Sequence, residues 1–277
     1  MPILTLTSDI GIQDFMPAAI KGQIMQIDPS FTIVDVSHLL SPFNYPLAAY
    51  VCKNVINHFQ KGTFHLILIN LFDQKNNHLL LAEHDGYYIG CADNGLLTMI
   101  LGQLPQKVVQ LPIDHTKPKN IINYAIVFAK AFAAIANGQP IEALGNTNAA
   151  ILEKNTLKPL LGHDWIEGQI LFVDNFDNVI VNITRQEFES HRSGRNFSVV
   201  FKRDEVINKI SETYADVPEG EKLVLFNTAD YLEIAINKGK AASLFGLQGF
   251  SEKQQPILKV QFSNNHIFYQ TVKIFFD

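Results

Sequence analysis

In the first half of the chain, short apolar runs alternate with stretches whose apolar residues recur at helical spacing. The strand-like runs are residues 2–7, 31–36 and 64–69, followed by a hairpin pattern over 79–82 and 87–89. The helix-like stretches are residues 14–26, 46–59 and 121–136. Strands separated by helices predict an α/β domain, with a mostly parallel sheet and helices on both faces.

The second half has a different pattern, because short β-rich runs follow one another with turns between them. These runs are residues 165–173, 179–183, 197–201 and 223–226, with two more strands after Pro256. They predict a small antiparallel sheet or β-barrel. The pattern changes near residues 155–164, so we predict an α/β domain over 1–157 and a β-barrel domain over 164–277.

Composition and charge narrow the class of protein. Hydrophobic residues make up 47% of the 277 residues, as in folded globular proteins, and the net charge of −5 argues against a nucleic-acid partner. No apolar run reaches the roughly 18 residues that span a bilayer, and the first residues do not resemble a signal peptide. Cys52 and Cys91 give no disulfide or metal-binding pattern. We therefore expect a cytoplasmic protein with no membrane partner.

Candidate ligand-binding side chains follow the predicted strands of the first half. Asp9, Asp35 and Asn70 each come at the end of an apolar run, and Asp93 and Asn94 precede an apolar helix start. In a parallel α/β sheet, ligands bind at the carboxyl ends of strands. The alternative is that Asp9, Asp93 and Asn94 form Asx turns and helix caps.

Two polar segments of the second half allow two interpretations each. Residues 174–178 either hydrogen-bond a ribose or nucleobase or form a hairpin turn, since Asn and Asp tolerate positive φ. Asn227 and Thr228 either face a ligand or cap a helix that begins near Tyr231.

Standard catalytic and metal-binding motifs are absent from the sequence. There is no glycine-rich phosphate loop, no nucleophile elbow and no His-Glu-x-x-His. His65, His78 and His84 share a region but fit no zinc spacing, so we predict no metal site.

Several motifs occur in an order that resembles the S-adenosyl-L-methionine (SAM) hydroxide adenosyltransferases, or SAM hydrolases, which are related to fluorinases and chlorinases. The motifs are residues 7–11, 35–38, 62–66, 92–97, 128–138, 174–183, 214–220 and 227–235. The resemblance covers nearly the whole chain.

The resemblance implies an α/β N-terminal domain, a β-barrel C-terminal domain and a homotrimer that binds SAM between the N-domain of one subunit and the C-domain of its neighbour. Asp9 would then hold the ribose hydroxyls and Asn178 the adenine edge. Asp174 would meet the methionine amino group, with Asn227 and Thr228 nearby. SAM is the substrate or ligand, and no further cofactor is implied.

The chain departs from the family at the positions that activate water. The family's Asp, Arg and His there correspond to Asn70, Asn77 and Asn123. A positioned base typically contributes about 10²–10⁴-fold to a rate, and asparagine cannot accept a proton at neutral pH. We therefore expect hydrolysis to be weak or absent, unless Asp73 and His78 substitute for the lost groups.

Two other functions are compatible with parts of this pattern. A nucleoside-binding module without chemistry would explain why the ribose and adenine positions are kept while the catalytic ones are not. A halide-using adenosyl transferase is less favoured, because residues 70–86 lack the extra loop of the halogenases.

Overall fold

Two structural units make up the chain, Met1–Thr156 and Leu157–Asp277. The computed structural model describes residues 1–74, 77–148, 150–202, 205–249 and 270–277. Within these residues, no helix is both long enough and apolar enough to cross a membrane.

The first unit is built on a six-stranded mixed sheet. Its strands are β1 (Ile3–Ser8), β2 (Thr32–Ser37), β3 (Phe64–Leu68), β4 (His78–His84), β5 (Tyr87–Cys91) and β6 (Lys107–Pro112), in the order β2-β1-β3-β5-β4-β6. The pairs β1–β2, β1–β3 and β3–β5 are parallel. β4 is antiparallel to both of its neighbours.

The prediction of a mostly parallel sheet is therefore only partly confirmed. The reversal comes from Asp85 and Gly86, whose φ angles of 49° and 82° form the tight turn between β4 and β5. The predicted hairpin is confirmed. The sequence pattern did not indicate that the hairpin makes β4 antiparallel to its neighbours, nor did it predict strand β6.

Helices cover both faces of this sheet, as predicted. They are α1 (Met16–Ile27), α2 (Tyr45–Ile56), α3 (Leu96–Leu101) and α4 (Ile121–Ala136), with a 3₁₀ turn at Ile141–Ala143. Leu6 of β1 packs in one cluster with Ile20 of α1 and Phe128 of α4. Ile67 of β3 packs on the other face with residues of α2 and α3, among them Ala49. The alternation of side chains along each strand builds these two apolar layers.

The second unit contains a nearly closed, barrel-like sheet. Its strands are β7 (Leu160–Leu161), β8 (Trp165–Val173), β9 (Val179–Thr184), β10 (Phe197–Lys202), β11 (Glu205–Ile207), β12 (Ile210–Ser211), β13 (Lys222–Phe226), β14 (Tyr231–Ile236) and β15 (Thr271–Phe276). Eight follow the order β11-β10-β15-β8-β9-β14-β13-β12, and β7 pairs with β8. Among the strands that the structure describes, all pairs are antiparallel except β12–β13. Near the ends of this order, Lys222 Nζ lies 2.5 Å from Glu205 Oε2.

Some predictions for the second unit need correction. The segment that begins at Tyr231 is strand β14, so the alternative in which Asn227 and Thr228 cap a helix there is wrong. Asn227 Oδ1 instead accepts hydrogen bonds from the N–H groups of Ala229 and Tyr231, at 3.0 and 3.1 Å, in the turn that leads into the strand. Of the two strands predicted after Pro256, β15 is observed, and residues 250–269 lie outside the described residues.

Three short helical elements of the second unit were not predicted. They are α5 (Arg185–Arg192), α6 (Ala241–Phe245) and a 3₁₀ turn at Tyr214–Asp216. α5 begins with a capping box, in which the side chains of Thr184 and Glu187 each accept a hydrogen bond from the other's backbone N–H. A capping box is a start signal that is visible in the sequence.

Replacing Gly90 by alanine tests the packing between the sheet and α4. A Cβ there would lie 2.7 Å from Phe128 Cδ1 and 2.8 Å from Phe132 Cζ, so both rings would have to move. We expect Gly90→Ala to lower the free energy of unfolding by about 1–3 kcal/mol, measured by urea denaturation.

The matched control is Gly22→Ala in α1, where a Cβ would meet nothing within 4 Å. Alanine has a higher helix propensity than glycine. This variant should therefore have a free energy of unfolding about 0.5–1 kcal/mol higher than the wild type, and a slightly higher urea midpoint. Equal urea midpoints for the two variants would contradict the close packing of Gly90 against the two rings.

Candidate functional site

Polar side chains meet at the carboxyl ends of the parallel strands β1, β3 and β5. Asp9 directly follows β1, and its Oδ2 accepts a 2.7 Å hydrogen bond from the backbone N–H of Asn70, beyond the end of β3. Asn94, after β5, donates from Nδ2 to the carbonyls of Ile69 and Asn70 at 3.0 and 3.2 Å. Three strand ends are thus tied together by polar groups. This is the edge at which open α/β sheets bind ligands.

Asn70 is at the centre of this arrangement. Its φ of 44° places it in the left-handed region, which asparagine tolerates better than most residues. Its carbonyl accepts a bond from the N–H of Asp73 at 3.3 Å, so residues 70–73 form a turn. Its Nδ2 donates to the Tyr45 hydroxyl at 2.9 Å and to Asp73 Oδ1 at 3.2 Å.

A lysine completes the group. Lys154 Nζ lies 3.9 Å from the centre of the Tyr45 ring, the geometry of a cation–π contact. Burial lowers the pKa of Lys154, and the negative charge of Asp73 opposes that change. Burial raises the pKa of Tyr45 to about 12, so its phenol is neutral. We call Asp9, Tyr45, Asn70, Asp73 and Lys154 the strand-end cluster.

The loop that carries Asp9 is held on both sides by His38. The Oγ of Ser8 is hydrogen-bonded to His38 Nδ1 at 2.7 Å, and the N–H of Gly11 donates to the His38 carbonyl at 2.7 Å. Asp35 lies 3.3 Å from His38 Nε2 and also binds Lys21. The position of Asp9 is therefore fixed by its neighbours in the chain and by Asn70.

The three asparagines predicted at the catalytic positions are not joined to one another. Asn77 is exposed immediately before β4. Asn123, in the first turn of α4, donates from Nδ2 to the carbonyl of Pro118 at 2.6 Å. Among the described residues, no hydrogen bond links Asn77 or Asn123 to Asn70.

The histidines singled out in the sequence have other partners. His78 Nε2 is 2.9 Å from Asp93 Oδ2. His65 is buried, with Nδ1 hydrogen-bonded to Thr5 Oγ1 at 2.8 Å, and burial lowers its pKa to about 4. The described part of the chain holds no group of three or more metal-ligating side chains placed around a common point.

The residues predicted in the second unit lie in two turns. In the hairpin between β8 and β9, Asp174 Oδ1 accepts from the N–H groups of Phe176 and Asn178, both at 2.8 Å. Asn178 is buried, and its Nδ2 donates to Asp174 Oδ2 at 3.2 Å. The hairpin turn is therefore confirmed, and ligand contact by Asp174 and Asn178 stays a prediction. Thr228 is exposed in the turn between β13 and β14, next to Asn227.

A buried carboxylate near Asp174 has no signal in the sequence. Glu233 of β14 is 3% exposed, and its Oε1 accepts a 2.6 Å hydrogen bond from the Tyr214 hydroxyl. Burial raises the pKa of Glu233, and the negative charge of Asp174 raises it further. Its place inside an apolar strand gives no sign of a polar partner, so sequence reasoning missed it.

Tyr45 and Lys154 were also missed. Tyr45 directly precedes the predicted helix 46–59, and Lys154 lies in an irregular segment 84 residues beyond Asn70 in the numbering. The pairing of Lys154 Nζ with the Tyr45 ring depends on tertiary structure alone.

Comparison with known proteins identifies the family. Residues 4–145 match the SAM hydroxide adenosyltransferase N-terminal domain, and residues 168–253 match the C-terminal domain of the same family. The chain belongs to the SAM hydroxide adenosyltransferase family.

Its curated relatives include hydrolases and a halogenating enzyme. An (R)-S-adenosyl-L-methionine hydrolase of Thermus thermophilus is 27% identical over 252 residues, which cover 87% of this chain and 94% of the relative. A fluorinase of Nocardia brasiliensis is 25% identical, over 89% of this chain and 94% of the relative. The crystal structure of an uncharacterized conserved protein from Thermotoga maritima has a TM-score of 0.79 at 22% identity, over 99% of both chains, which shows the fold.

The ionisation of Asp9 provides a test of the site's electrostatics. Burial raises its pKa although the Asn70 N–H lowers it, so the folded state favours the protonated form. A raised carboxyl pKa costs stability once the pH exceeds the ordinary carboxyl range. In the absence of ligand, we expect Asp9→Asn to raise the melting temperature at pH 7, with the difference vanishing as the pH falls into the ordinary carboxyl range.

The control for this measurement is Asp28→Asn. The pKa of Asp28 is lowered by hydrogen bonds from the side chain and backbone of Ser30, so its ionised form is the one favoured by folding. Asp28→Asn should therefore not raise the melting temperature at pH 7. A lower melting temperature for Asp9→Asn than for the wild type at that pH would contradict the raised pKa of Asp9.

Proposed function

We propose that the protein binds SAM, or the adenosine part of it, and hydrolyses SAM only slowly to adenosine and L-methionine. The observation that carries this proposal is the half-buried Asp9, held at the strand ends by the N–H of Asn70. A carboxylate accepts two hydrogen bonds and therefore suits a ribose diol. The names of the hydrolase relatives support SAM as the ligand.

Polar side chains of the second unit suit the methionine and adenine parts of SAM. The carboxylates of Asp174 and Glu233 favour a positively charged group, which suits the methionine ammonium of SAM. The side-chain amide of Asn178 has both a donor and an acceptor, as an adenine edge requires. We propose that Asn227 and Thr228 contact the ligand near the methionine amino group.

Slow hydrolysis follows from the amides at Asn70, Asn77 and Asn123, which neither take up a proton nor carry charge. Attack on the C5′ carbon needs a competent nucleophile, since bulk water has a pKa of about 15.7.

We also propose that the protein is a cytoplasmic homotrimer. SAM is its substrate or ligand, and it needs no cofactor. Light scattering of the purified protein tests the trimer.

Binding is tested by titrating SAM and adenosine into the protein in a calorimeter. We expect both to bind the wild type, and Asp9→Asn to weaken both about 10–100-fold, because a hydrogen bond to a charged group is worth about 1.5–3 kcal/mol. Asp114→Asn is the control, since Asp114 is exposed and bonds the nearby Thr116. No heat with either ligand at millimolar concentration would refute the proposal.

Hydrolysis is tested by measuring adenosine release chromatographically beside the Thermus thermophilus relative. We expect this chain to release adenosine more slowly than the relative, because the amides at Asn70, Asn77 and Asn123 cannot accept a proton. The combined variant Asn70→Asp, Asn77→Arg and Asn123→His should gain activity. Equal rates for the wild type and the relative would show that the amides do not limit the reaction, and release no faster than without protein would favour a nucleoside-binding module.

A further inference from the structure

The turn after β3 places the carboxylate of Asp73 beside the side-chain amide of Asn70. Asp73 is three residues beyond Asn70, yet the 70–73 turn brings its Oδ1 within 3.2 Å of Asn70 Nδ2. Asn70 N–H in turn binds Asp9 Oδ2 at 2.7 Å, so one residue connects the two carboxylates. Asp73 thus belongs to the strand-end cluster through side-chain contact.

The surroundings of Asp73 suit a group that handles protons. Asn70 Nδ2 also donates to the Tyr45 hydroxyl, and Lys154 Nζ lies over the Tyr45 ring. The charge of Asp73 acts on both neighbours, because it helps raise the pKa of Tyr45 and opposes the lowering of the pKa of Lys154. The Asn70 amide thus contacts the Asp73 carboxylate, while the Tyr45 phenol and the Lys154 ammonium lie close enough to feel its charge.

Other candidates for the same role are already engaged. Asp9 is half-buried and accepts the Asn70 N–H. His78 Nε2 is held by Asp93 Oδ2 at 2.9 Å. Asp73 also has a partner, since Asn70 Nδ2 donates to its Oδ1, but its side chain is exposed and can be reached by a water molecule.

We propose that Asp73 is the general base for the slow hydrolysis of SAM, with Asn70 and Lys154 as positioning residues. This inference rests on the function proposed above. The water oxygen forms a bond to C5′ while the bond from C5′ to sulfur breaks, and the electron pair of that bond stays on sulfur, giving neutral methionine. The proton released from water passes to the Asp73 carboxylate and then to solvent, which leaves adenosine.

The test compares Asp73→Asn with the wild type in two assays, calorimetric SAM binding and adenosine release at saturating SAM. We expect an unchanged Kd for SAM and a kcat lower by about 10²-fold or more, because Asn keeps the shape but cannot accept a proton. Asp73→Glu, which retains the carboxylate, should recover part of kcat. Glu153→Gln is the matched control: Glu153 is an exposed carboxylate next to Lys154, and its loss should change neither value.

The outcomes separate this inference from the proposed function. Asp73 is not the base if the wild type binds SAM but releases no adenosine. The same conclusion follows if Asp73→Asn keeps its kcat within about threefold of the wild type, because the loss of a base costs about 10²-fold. In both cases the proposal of SAM binding still stands. If Asp73→Asn loses SAM binding to the same degree as kcat, Asp73 serves binding and the inference is wrong. If the wild type does not bind SAM at all, both proposals fall.

Discussion

The hydrogen bond from the Asn70 N–H to Asp9 Oδ2 is the interaction on which the rest of the site depends. It joins the ends of β1 and β3, which are adjacent parallel strands, and it holds Asp9 in a partly desolvated position. Asn94 supports the same loop from the end of β5 through its bonds to the Ile69 and Asn70 carbonyls. His38 holds the Asp9 loop and Asn94 holds the 70–73 turn, and this bond links the two segments directly.

The half-buried carboxylate of Asp9 lowers the stability of the folded protein at neutral pH. A carboxylate that burial forces toward its protonated form destabilises the fold at neutral pH, and an amide at Asp9 would bind the same N–H without that cost. This stability cost is consistent with the proposal that a ligand uses the charge of Asp9. Glu233 in the second unit has the same character, since it is buried and its pKa is raised by burial and by Asp174.

Much of the fold could be predicted because local signals agree with the tertiary structure. The α4 range, 121–136, follows from apolar periodicity and from the stop at Asn137 and Gly138. The segment at Tyr231 was mistaken because a polar Asx turn precedes helices and strands alike. The reversed strand β4 and the contact of Lys154 with Tyr45 depend on long-range pairing, which no local pattern encodes.

The difference between sequence position and spatial position matters most at Asn70. The family resemblance of the sequence places Asn70 at a position expected to activate water, and it therefore predicts weak or absent hydrolysis. The left-handed φ of 44° at Asn70 turns the chain, however, so that a carboxylate three residues later contacts the amide. Asparagine adopts that φ readily, so Asn70 favours the turn that brings the Asp73 carboxylate beside its own side-chain amide. Which side chains stand next to Asn70 is therefore seen only in the three-dimensional course of the loop.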